Sequence, residues 1–376
     1  MTITKTAKIQ IYPSDDDKVR LSDAMKAYAK ACDFVSQYIY DTHDLSQSSV
    51  HKAIYRTTRE VCGTPSQMTC NAIRTVIGSY KTNLSSGKGW VRCVFKSPQL
   101  VLSWDRTCRI VKQGISIGVV KGRVICDFEK RGMENYFTNS KYHFGATRLV
   151  NKFGKFFLHI SINYEVEDIA DDSICNVVGI DRGVRFIAAT YDSKGKTHMY
   201  SGKSLCYKRE QYNNLRQELQ MVGTPSSRKR LMKIGQRENR WMQDINHCVT
   251  KSIVESNPKG TLFVLEDLEG INSDIKDISK DRRNGFVSWA FYDFEKKLTY
   301  KALERGQKVI KVNPKFTSQT CPKCGHIDKR NRNKRTHTFC CKNCGYKSND
   351  DRVGAMNLYR MGIEYLVEKQ VSITDL

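Results

Sequence analysis

Three carboxylates stand in contexts that are unusual for surface acids. Asp181 lies inside "VVGIDRGVRFIAAT", whose apolar and β-branched residues predict a buried strand. Glu266 ends the apolar run "LFVLE", and Asp351 opens the segment "DDRVGAMNLYRMG". A lone buried carboxylate is costly unless a cation pairs with it. Asp181 therefore either points into solvent or helps to hold a metal ion.

The chemistry open to these acids depends on whether they meet. Glu266 follows Asp181 by 85 residues and Asp351 follows Glu266 by another 85, so only the fold can bring them together. Converging carboxylates repel one another unless divalent cations neutralise them. Mg²⁺ prefers oxygen ligands, and two such ions about 3.5 to 4 Å apart support phosphodiester hydrolysis. Taken singly, each acid also has an ordinary interpretation, as a turn residue, a strand-end surface acid or a helix N-terminal residue.

A second group of residues with metal-binding chemistry is a pair of cysteine motifs. Cys321-Pro-Lys-Cys324-Gly and Cys341-Lys-Asn-Cys344-Gly each place two thiolates on one tight turn, and together they predict a closed, structural zinc site. Disulfides are the alternative, which a reducing compartment disfavours. Cys340 leaves the register ambiguous, but Cys341 preserves the two-residue spacer. The finger between the motifs, "HIDKRNRNKRTHTF", is basic and suits phosphate contact.

The charge balance indicates the kind of partner. Lys and Arg number 63 against 39 Asp and Glu, a formal net charge of +24 that favours a polyanion, most simply nucleic acid. A membrane surface is the alternative, but no basic amphipathic helix stands out and no run approaches the roughly 18 apolar residues of a membrane span. Since no secretory leader is visible, we expect a cytoplasmic, nucleoid-associated protein of a prokaryotic host with reduced cysteines.

The elements that must position the acids follow from the pattern along the chain. "KIQIYP" reads as a strand, and residues 17–83 as a helical block with breaks near Leu45 and Gly63. Short strands between residues 90 and 165 predict a small barrel. From residue 177 onward we predict three strands, a polar helical region over 208–255, a strand, a helix and a strand. This order matches an RNase H-like α/β layout, in which the first and fourth strands are neighbours and the last helix packs its start against them.

At this point the sequence resembles the TnpB family, the transposon-encoded RNA-guided nucleases related to type V CRISPR effectors. The similar segments are "GIDRGVRFIA", "LEDLEGI", "LTYKALERGQKVIKVNPKFTSQTCPKCG" and "DDRVGAMNL". The resemblance implies catalytic, Mg²⁺-binding acids at Asp181, Glu266 and Asp351, with two Mg²⁺ ions. It implies one structural Zn²⁺ ion, held by Cys321, Cys324, Cys341 and Cys344. The family's last motif usually reads Asp-x-Asn-Ala-Ala-x-Asn, whereas Val353 and Gly354 stand here for the first Asn and Ala.

The resemblance also implies a fold class and a layout. We expect an RNase H-like (RuvC) nuclease domain at 171–314 and 350–376 with an inserted zinc ribbon at 315–349. A wedge-like β-barrel at 1–13 and 91–170 would precede it and carry a helical recognition insert at 14–90. The expected partners are a guide RNA, either an omega-type RNA or a crRNA, and double-stranded target DNA next to a short flanking motif. Five basic residues are candidate nucleic-acid contacts: Arg56, Arg74, Lys81, Arg92 and Lys96.

Other functions fit parts of the sequence. A type V CRISPR effector that uses a crRNA could look nearly identical, and a guided DNA binder that has lost cleavage would typically lack an acid. "GIDRG" is also similar to the first phosphate loop of actin-like ATPases, but the sequence shows neither a second glycine-rich phosphate loop nor an adenosine motif. A purely structural zinc-ribbon DNA binder leaves the acid inside the Asp181 strand unexplained. Oligomeric state does not follow from the sequence.

Overall fold

The protein was analysed as a computed structural model that describes residues 1–96, 99–183, 185–268 and 288–374. The chain divides into two compact units, one of residues 2–165 and one of Met1 with residues 166–376. Val184 of the first predicted motif and residues 269–271 of the second lie outside the described residues. In the described part of the chain, no helix combines the length and apolarity needed to cross a bilayer.

Three consecutive helices follow the first strand of the 2–165 unit: α1 (Asp15–Thr42), α2 (Gln47–Cys62) and α3 (Ser66–Ser85). The Ser14 side chain caps α1 by accepting a 3.2 Å hydrogen bond from the Asp17 N–H. Acids at positions 15–17 in the first turn favour the positive end of the helix dipole. The chain leaves α1 at His43 and α2 at Gly63, both with left-handed backbone, close to the breaks predicted from the sequence.

The strands of this unit form one antiparallel sheet with the order β2-β6-β7-β1-β5-β4-β3. These strands, with the short helix α4 (Glu134–Thr138) before β6, are β1 (Thr2–Tyr12), β2 (Gln99–Ser103), β3 (Cys108–Val111), β4 (Gly114–Gly118), β5 (Arg123–Phe128), β6 (His143–Lys152) and β7 (Lys155–Glu165). β7 buries every second residue from Phe156 to Tyr164, the period-two pattern of a strand with one face in the core. The N-terminal strand β1 lies between β7 and β5, so the chain returns to its start after the helices. Closure of this sheet into a barrel stays a prediction.

The second unit contains a mixed five-stranded sheet with the order β10-β9-β8-β11-β12. Its strands are β8 (Asn176–Asp181), β9 (Phe186–Asp192), β10 (Thr197–Ser201), β11 (Thr261–Glu266) and β12 (Lys308–Val312). β8, β9 and β10 form an antiparallel meander, whereas β11 pairs in parallel with both β8 and β12. The first and fourth strands are therefore neighbours.

The helices of this unit are α5 (Lys203–Val222), α6 (Pro225–Glu255), α7 (Ser288–Glu304) and α8 (Asp350–Thr374), and the last three cover the two faces of the sheet. Residues of α6 and α7, such as Ile253 and Phe294, pack with Val178 and Ile180 on one face. Leu358 of α8 packs with Val177 and other residues on the opposite face. The helical region predicted as continuous is broken after α5, where Gly223 has φ 65° and Pro225 starts α6 behind the capping Thr224.

Between β12 and α8 the chain forms a small three-stranded sheet: β13 (Arg332–Asn333), β14 (Thr338–Cys340) and β15 (Lys347–Asn349). Both cysteine motifs lie in this segment. Buried Phe339 packs with Cys321, Cys341 and Val353, so the core of this small sheet reaches the first turns of α8.

Candidate metal centres

Asp181 and Glu266 lie at the same edge of the five-stranded sheet. Their strands, β8 and β11, are parallel and in register from Thr261 opposite Asn176 to Leu265 opposite Ile180. Partners in this register are 85 positions apart in the sequence, and so are Asp181 and Glu266. Continuing the register by one residue therefore places Glu266 beside Asp181. Parallel strands end at a common edge, where ligands of such sheets bind. The two acids that no local spacing could relate are thus neighbours across one strand pair.

Both side chains point toward α8. Side chains alternate between the faces of a strand, so Asp181 shares the face of Val177 and Gly179, and Glu266 shares that of Leu262 and Val264. Val177, Leu262 and Val264 form the cluster that packs against α8. Gly179 allows this close approach, since a methyl group there would lie 2.1 Å from the Ala355 carbonyl oxygen.

The first turns of α8 bring the third acid to this edge. A methyl group at Gly354, one turn after Asp351, would lie 2.5 Å from Asp181 Oδ2. A methyl group at Gly183 would lie 3.9 Å from Asp351 Oδ1. The start of α8 therefore lies against the end of β8, and all three predicted acids face one space.

The electrostatics of the three acids reflect this convergence. Burial raises the pKa of Asp181 well above its ordinary value, and the nearby charges of Glu266 and Asp351 raise it further. Burial also raises the pKa of Glu266, against the opposing effects of a Thr317 hydrogen bond and of Arg182 and Arg332. Burial and the charge of Asp350 raise the pKa of Asp351. Such a group of acids gains stability when positive charge is placed among it.

Part of that positive charge comes from the segment that carries the cysteines. The charge of Arg332, in β13, partly opposes the rise in the pKa of Asp181, Glu266 and Asp351 that burial causes. Its Nε donates a 2.8 Å hydrogen bond to Oδ2 of the fully buried Asp350. Asp350 Oδ1 lies 3.5 Å from His337 Nδ1 and accepts a 3.1 Å bond from the Asp351 N–H. Asp350 therefore fixes Arg332 and the start of α8 to each other.

Glu266 is held from the same side by the chain that leads to the first cysteine. Thr317 Oγ1 donates a hydrogen bond to Glu266 Oε1. The Asn357 side chain, on α8, in turn donates to the Thr317 and Thr320 carbonyl oxygens at 2.7 and 2.8 Å. Helix α8 thus carries one acid and, through Asn357 and Thr317, orients a second.

The donor set suits hard divalent cations. Asp351 is buried, and its Oδ2 has no hydrogen-bond partner among the described residues, an arrangement that is costly without a cation. Oxygen atoms of Asp181, Glu266 and Asp351 are the ligand type that Mg²⁺ prefers. The tightest oxygen and nitrogen group in the described chain is a different one, with ligand atoms of His337, Asp350 and Asp351 within 4.8 Å of one another. The three predicted acids, all of them described residues, do not form a group this tight.

The four predicted cysteines form a second cluster. Sulfur atoms of Cys321, Cys324, Cys341 and Cys344 all lie within 4.8 Å of one another, with Cys321 to Cys344 and Cys324 to Cys341 at 3.6 Å. Tetrahedral Zn–S bonds of about 2.3 Å place sulfurs about 3.8 Å apart, so these four could hold a zinc ion. Cys340 is outside the group, which resolves the ambiguous register in favour of Cys341.

The two cysteine turns have the same backbone geometry. Cys321 N–H donates to the His326 carbonyl at 3.0 Å, and Cys341 N–H donates to the Tyr346 carbonyl at 2.9 Å. The glycine after each motif, Gly325 or Gly345, has φ of 75° or 68° and returns a hydrogen bond to the first cysteine's carbonyl. A left-handed residue is needed there, which explains why each motif ends in glycine.

The five predicted nucleic-acid contacts belong to the 2–165 unit and are all exposed: Arg56, Arg74, Lys81, Arg92 and Lys96. Arg74 and Lys96 line a groove of about 780 Å³ between α1, α3 and the sheet, together with Arg148 and the hydroxyl residues Thr75 and Ser79. Arg56, Lys81 and Arg92 do not line this groove. Two of the five residues are therefore brought together, beside a third arginine that sequence reasoning did not single out.

Comparisons with known protein families match two segments, which lie almost entirely in the second unit. The OrfB_IS605 family, described as a probable transposase, matches residues 161–269. The Cas12f1-like TNB domain matches residues 291–358, which include all four clustered cysteines and Asp351. Further matches include proteins named TnpB-like. The predicted resemblance to the TnpB family is confirmed.

Individual relatives extend this match beyond the two segments. A CRISPR-associated endodeoxyribonuclease Cas12f1 of Sulfoacidibacillus thermotolerans is 28% identical over 281 residues, covering 69% of this chain and 62% of that protein. A putative RNA-guided DNA endonuclease, InsQ, of Escherichia coli is 27% identical over 273 residues, covering 66% of this chain and 64% of that protein. This chain thus spans less than two thirds of the length of either relative. The mini-RNA-guided endonuclease CRISPR-Cas_phi3 shares the fold, with a TM-score of 0.56, 13% identity, and coverage of 96% of this chain and 92% of that one.

The departure from the usual last motif of the TnpB family has a structural explanation. Val353, in place of asparagine, is fully buried against Cys321, Phe339 and Cys341, so it joins α8 to the cysteine-bearing segment by apolar packing. Gly354, in place of alanine, faces the Asp181 carboxylate with no room for a methyl group. The motif is therefore adapted to this packing and retains its acid.

Sequence reasoning missed several residues around the acids, among them Arg182, Thr317, Arg332 and Asp350. Arg182 lies within a segment that resembles the TnpB family, but nothing in the sequence indicated a role for its side chain. Thr317 and Arg332 lie in polar, basic stretches where neighbouring residues look equivalent. Only Asp350, directly before Asp351, offered a signal, as a second acid at the start of a helix.

Proposed function

We propose that this protein is a Mg²⁺-dependent endonuclease that cuts DNA selected by a bound guide RNA. The observation that carries the proposal is the meeting of Asp181 and Glu266, at the ends of adjacent parallel strands, with Asp351 on the helix packed against them. The names of the relatives, an endodeoxyribonuclease and a putative RNA-guided DNA endonuclease, support the same reaction.

The proposed layout of the chain follows the expectations from the sequence. The strand order β10-β9-β8-β11-β12 supports an RNase H-like, RuvC-type nuclease domain at 171–314 and 350–376, with a zinc ribbon inserted at 315–349. A wedge domain at 1–13 and 91–170 and a helical recognition domain at 14–90 would make up the rest. The return of β1 to the sheet formed by later strands supports joining 1–13 to the segment after the helices.

The residues divide the work of hydrolysis among them. Two Mg²⁺ ions, when bound, would supply a nucleophilic hydroxide and charge stabilisation of the departing 3′ oxygen. Asp181, Glu266 and Asp351 would hold these ions. Thr317 would keep the Glu266 carboxylate turned toward them through its hydrogen bond. Arg332 would offset negative charge that builds up when a phosphate joins three acids.

Guide RNA and target DNA are the proposed partners. The net charge of +24 suits a load of two nucleic acids, whose backbones a basic surface binds without reading sequence. Arg74 and Lys96, with Arg148, line one groove beside hydroxyl groups, a combination that fits phosphate and sugar contacts. The contact roles of Arg56, Lys81 and Arg92 rest on their exposure and charge.

The deciding experiment is a guided cutting assay. The full chain would be expressed with its native locus, and the RNA that co-purifies with it would be sequenced. We expect a structured RNA whose variable end programs cutting of a matched duplex in Mg²⁺, and no cutting with a mismatched target, after RNA removal or in EDTA. Cutting that persists in EDTA would contradict the metal mechanism. Target binding without cutting would favour a guided binder, and a repeat-derived RNA would favour a CRISPR effector.

A separate prediction concerns the proposed zinc ion. Replacing Cys341 by serine should lower the zinc content from one ion per chain to near zero, because a closed site needs all four thiolates. Since the Cys341 turn packs on Val353 of α8, thermal stability and cutting should fall with it. Metal analysis of the purified protein measures the first effect. Cys340→Ser is the matched control, since Cys340 is adjacent but outside the sulfur cluster, and it should keep its zinc.

A further inference from the structure

A buried arginine directly follows the first acid. The side chain of Arg182 is 1% exposed, far less than is usual for a charged residue. Burying a guanidinium is costly unless its N–H groups find acceptors. The acceptors of Arg182 therefore indicate why the charge is buried at this position.

Two of these acceptors belong to different elements around the site. Arg182 Nη2 donates a 2.7 Å hydrogen bond to the Glu266 carbonyl oxygen, at the end of β11. Arg182 Nη1 donates a 3.1 Å hydrogen bond to the Phe291 carbonyl oxygen in the first turn of α7 and lies 3.5 Å from Glu295 Oε2. One side chain thus joins the ends of β8 and β11 to the start of α7.

The bond to Glu266 lies where backbone pairing stops. The ladder between β8 and β11 ends at Ile180 and Leu265, one residue before the two acids. On its other side, the chain beyond Glu266 is still held to β12, because Asp267 N–H donates to the Val312 carbonyl at 2.8 Å. On the β8 side, the Arg182 guanidinium supplies the next link in place of a backbone pair.

We propose that Arg182 is a positioning residue that sets the separation of the Asp181 and Glu266 carboxylates by tying the Glu266 main chain to the end of β8. This inference rests on the proposed metal-dependent function. Arg182 acts through Glu266, whose backbone it binds, and it also brings a positive charge close to that carboxylate.

A lysine would not perform this role. A planar guanidinium can donate to two carbonyl oxygens in fixed directions, whereas an ammonium group is a single point donor on a flexible stem. The neighbouring charges are already balanced by another cation, since Lys311 Nζ lies 3.4 Å from Glu295 Oε1 and 3.7 Å from Asp267 Oδ1. The two directed N–H donors of the guanidinium, rather than its charge alone, distinguish Arg182 from a lysine at this position.

The test measures Mn²⁺ binding to the full chain by the loss of the free-ion electron paramagnetic resonance signal. The Mn²⁺ bound by the wild type and not by Asp181→Asn defines the site. We expect Arg182→Met and Arg182→Lys to weaken that binding by about ten-fold or more, the usual effect of removing a group that orients a metal ligand. Arg305→Met, which removes a half-exposed arginine paired with Glu255 at 3.5 Å, should bind as the wild type does.

A double variant separates positioning from folding. Arg182→Met combined with Glu295→Met removes both members of the buried ion pair, an exchange that proteins often tolerate without loss of stability. We expect this variant to unfold near the wild-type temperature and still to bind Mn²⁺ about ten-fold more weakly. Wild-type Mn²⁺ binding by the double variant or by Arg182→Lys would overturn the proposal. If guided cutting is never found but the Mn²⁺ differences appear, the proposed function fails and the role of Arg182 stands.

Discussion

Asp181→Asn is expected to abolish cutting while leaving guide and target binding intact. The substitution keeps the shape of the side chain and removes a negative charge that would help to hold Mg²⁺ in the proposed site. Removing one ligand of a two-ion site should lower the rate at saturating Mg²⁺ by about a thousand-fold or more, an effect of about 4 kcal/mol on the barrier. Single-turnover cleavage of a matched duplex by the purified protein with its RNA measures the rate, and gel shift measures binding.

The same substitution should stabilise the metal-free protein. The folded-state pKa of Asp181 is raised by burial and by the repulsion from Glu266 and Asp351, so its ionisation opposes folding. Asp181 does not oppose folding below its ordinary pKa of 3.8, where it is protonated in both the folded and the unfolded chain. The free energy of unfolding then falls as pH rises from 3.8 through the raised folded-state pKa. At neutral pH in EDTA, Asp181→Asn should therefore unfold a few degrees above the wild type. In Mg²⁺ the difference should shrink, because only the wild type gains stability from the ions.

Asp192→Asn is the matched control for this prediction. Asp192 belongs to the same sheet but accepts hydrogen bonds from the Lys194 and Lys196 backbone at a turn away from the three acids. It should cut at the wild-type rate and gain no stability in EDTA. Full cutting by Asp181→Asn would contradict the assignment of the metal site, whichever partners the protein binds.

The convergence of the acids was predictable because it depends on topology rather than on detail. Two apolar strands carry an acid, one inside the strand and one at its end, and the final helix opens with a third acid. Once the two strands are parallel neighbours, these acids must lie at one edge of the sheet. The structure agrees, since each paired residue of β11 lies 85 positions after its partner in β8, as Glu266 does after Asp181. The cysteine cluster was predictable for a different reason, since two ligands on one short turn need little help from the rest of the fold.

The residues that orient the acids were not predictable, because their roles arise from contacts between distant segments. Arg332 is one of several basic residues in its finger, and only its hydrogen bond to Asp350 distinguishes it. Thr317 lies in a polar connection, and only its contacts with Glu266 and with the Asn357 side chain on α8 distinguish it. Closure of the N-terminal sheet into a barrel and the five nucleic-acid contacts, which the sequence also predicts, stay predictions.

Gly354→Ala gives the most direct test of how closely α8 approaches the first acid. Alanine is the residue that the last motif of the family usually has here, and in a helix it is favoured over glycine by about 1 kcal/mol. In this chain its methyl group would lie 2.5 Å from Asp181 Oδ2 and 2.9 Å from Asp181 Cγ. The carboxylate must then rotate or α8 must move, and either change displaces a proposed metal ligand. We expect cutting to fall by about a hundred-fold, as misplacement of about 1 Å can cause.

The thermal stability of Gly354→Ala separates a local clash from general damage. The gain in helix propensity and the cost of the displaced contact oppose each other, so the unfolding temperature should change little while cutting falls. Gly78→Ala, in the middle of α3, is the control, because a methyl group there would meet nothing within 4 Å. It should unfold slightly higher, and because Gly78 also lines the groove proposed for nucleic-acid contacts, it is a control for stability and not for cutting. Cutting by Gly354→Ala at the wild-type rate would contradict this prediction. It would mean that the Asp181 carboxylate can move away from α8 without loss of activity. The metal site would then depend on Glu266 and Asp351 rather than on the contact between β8 and the helix.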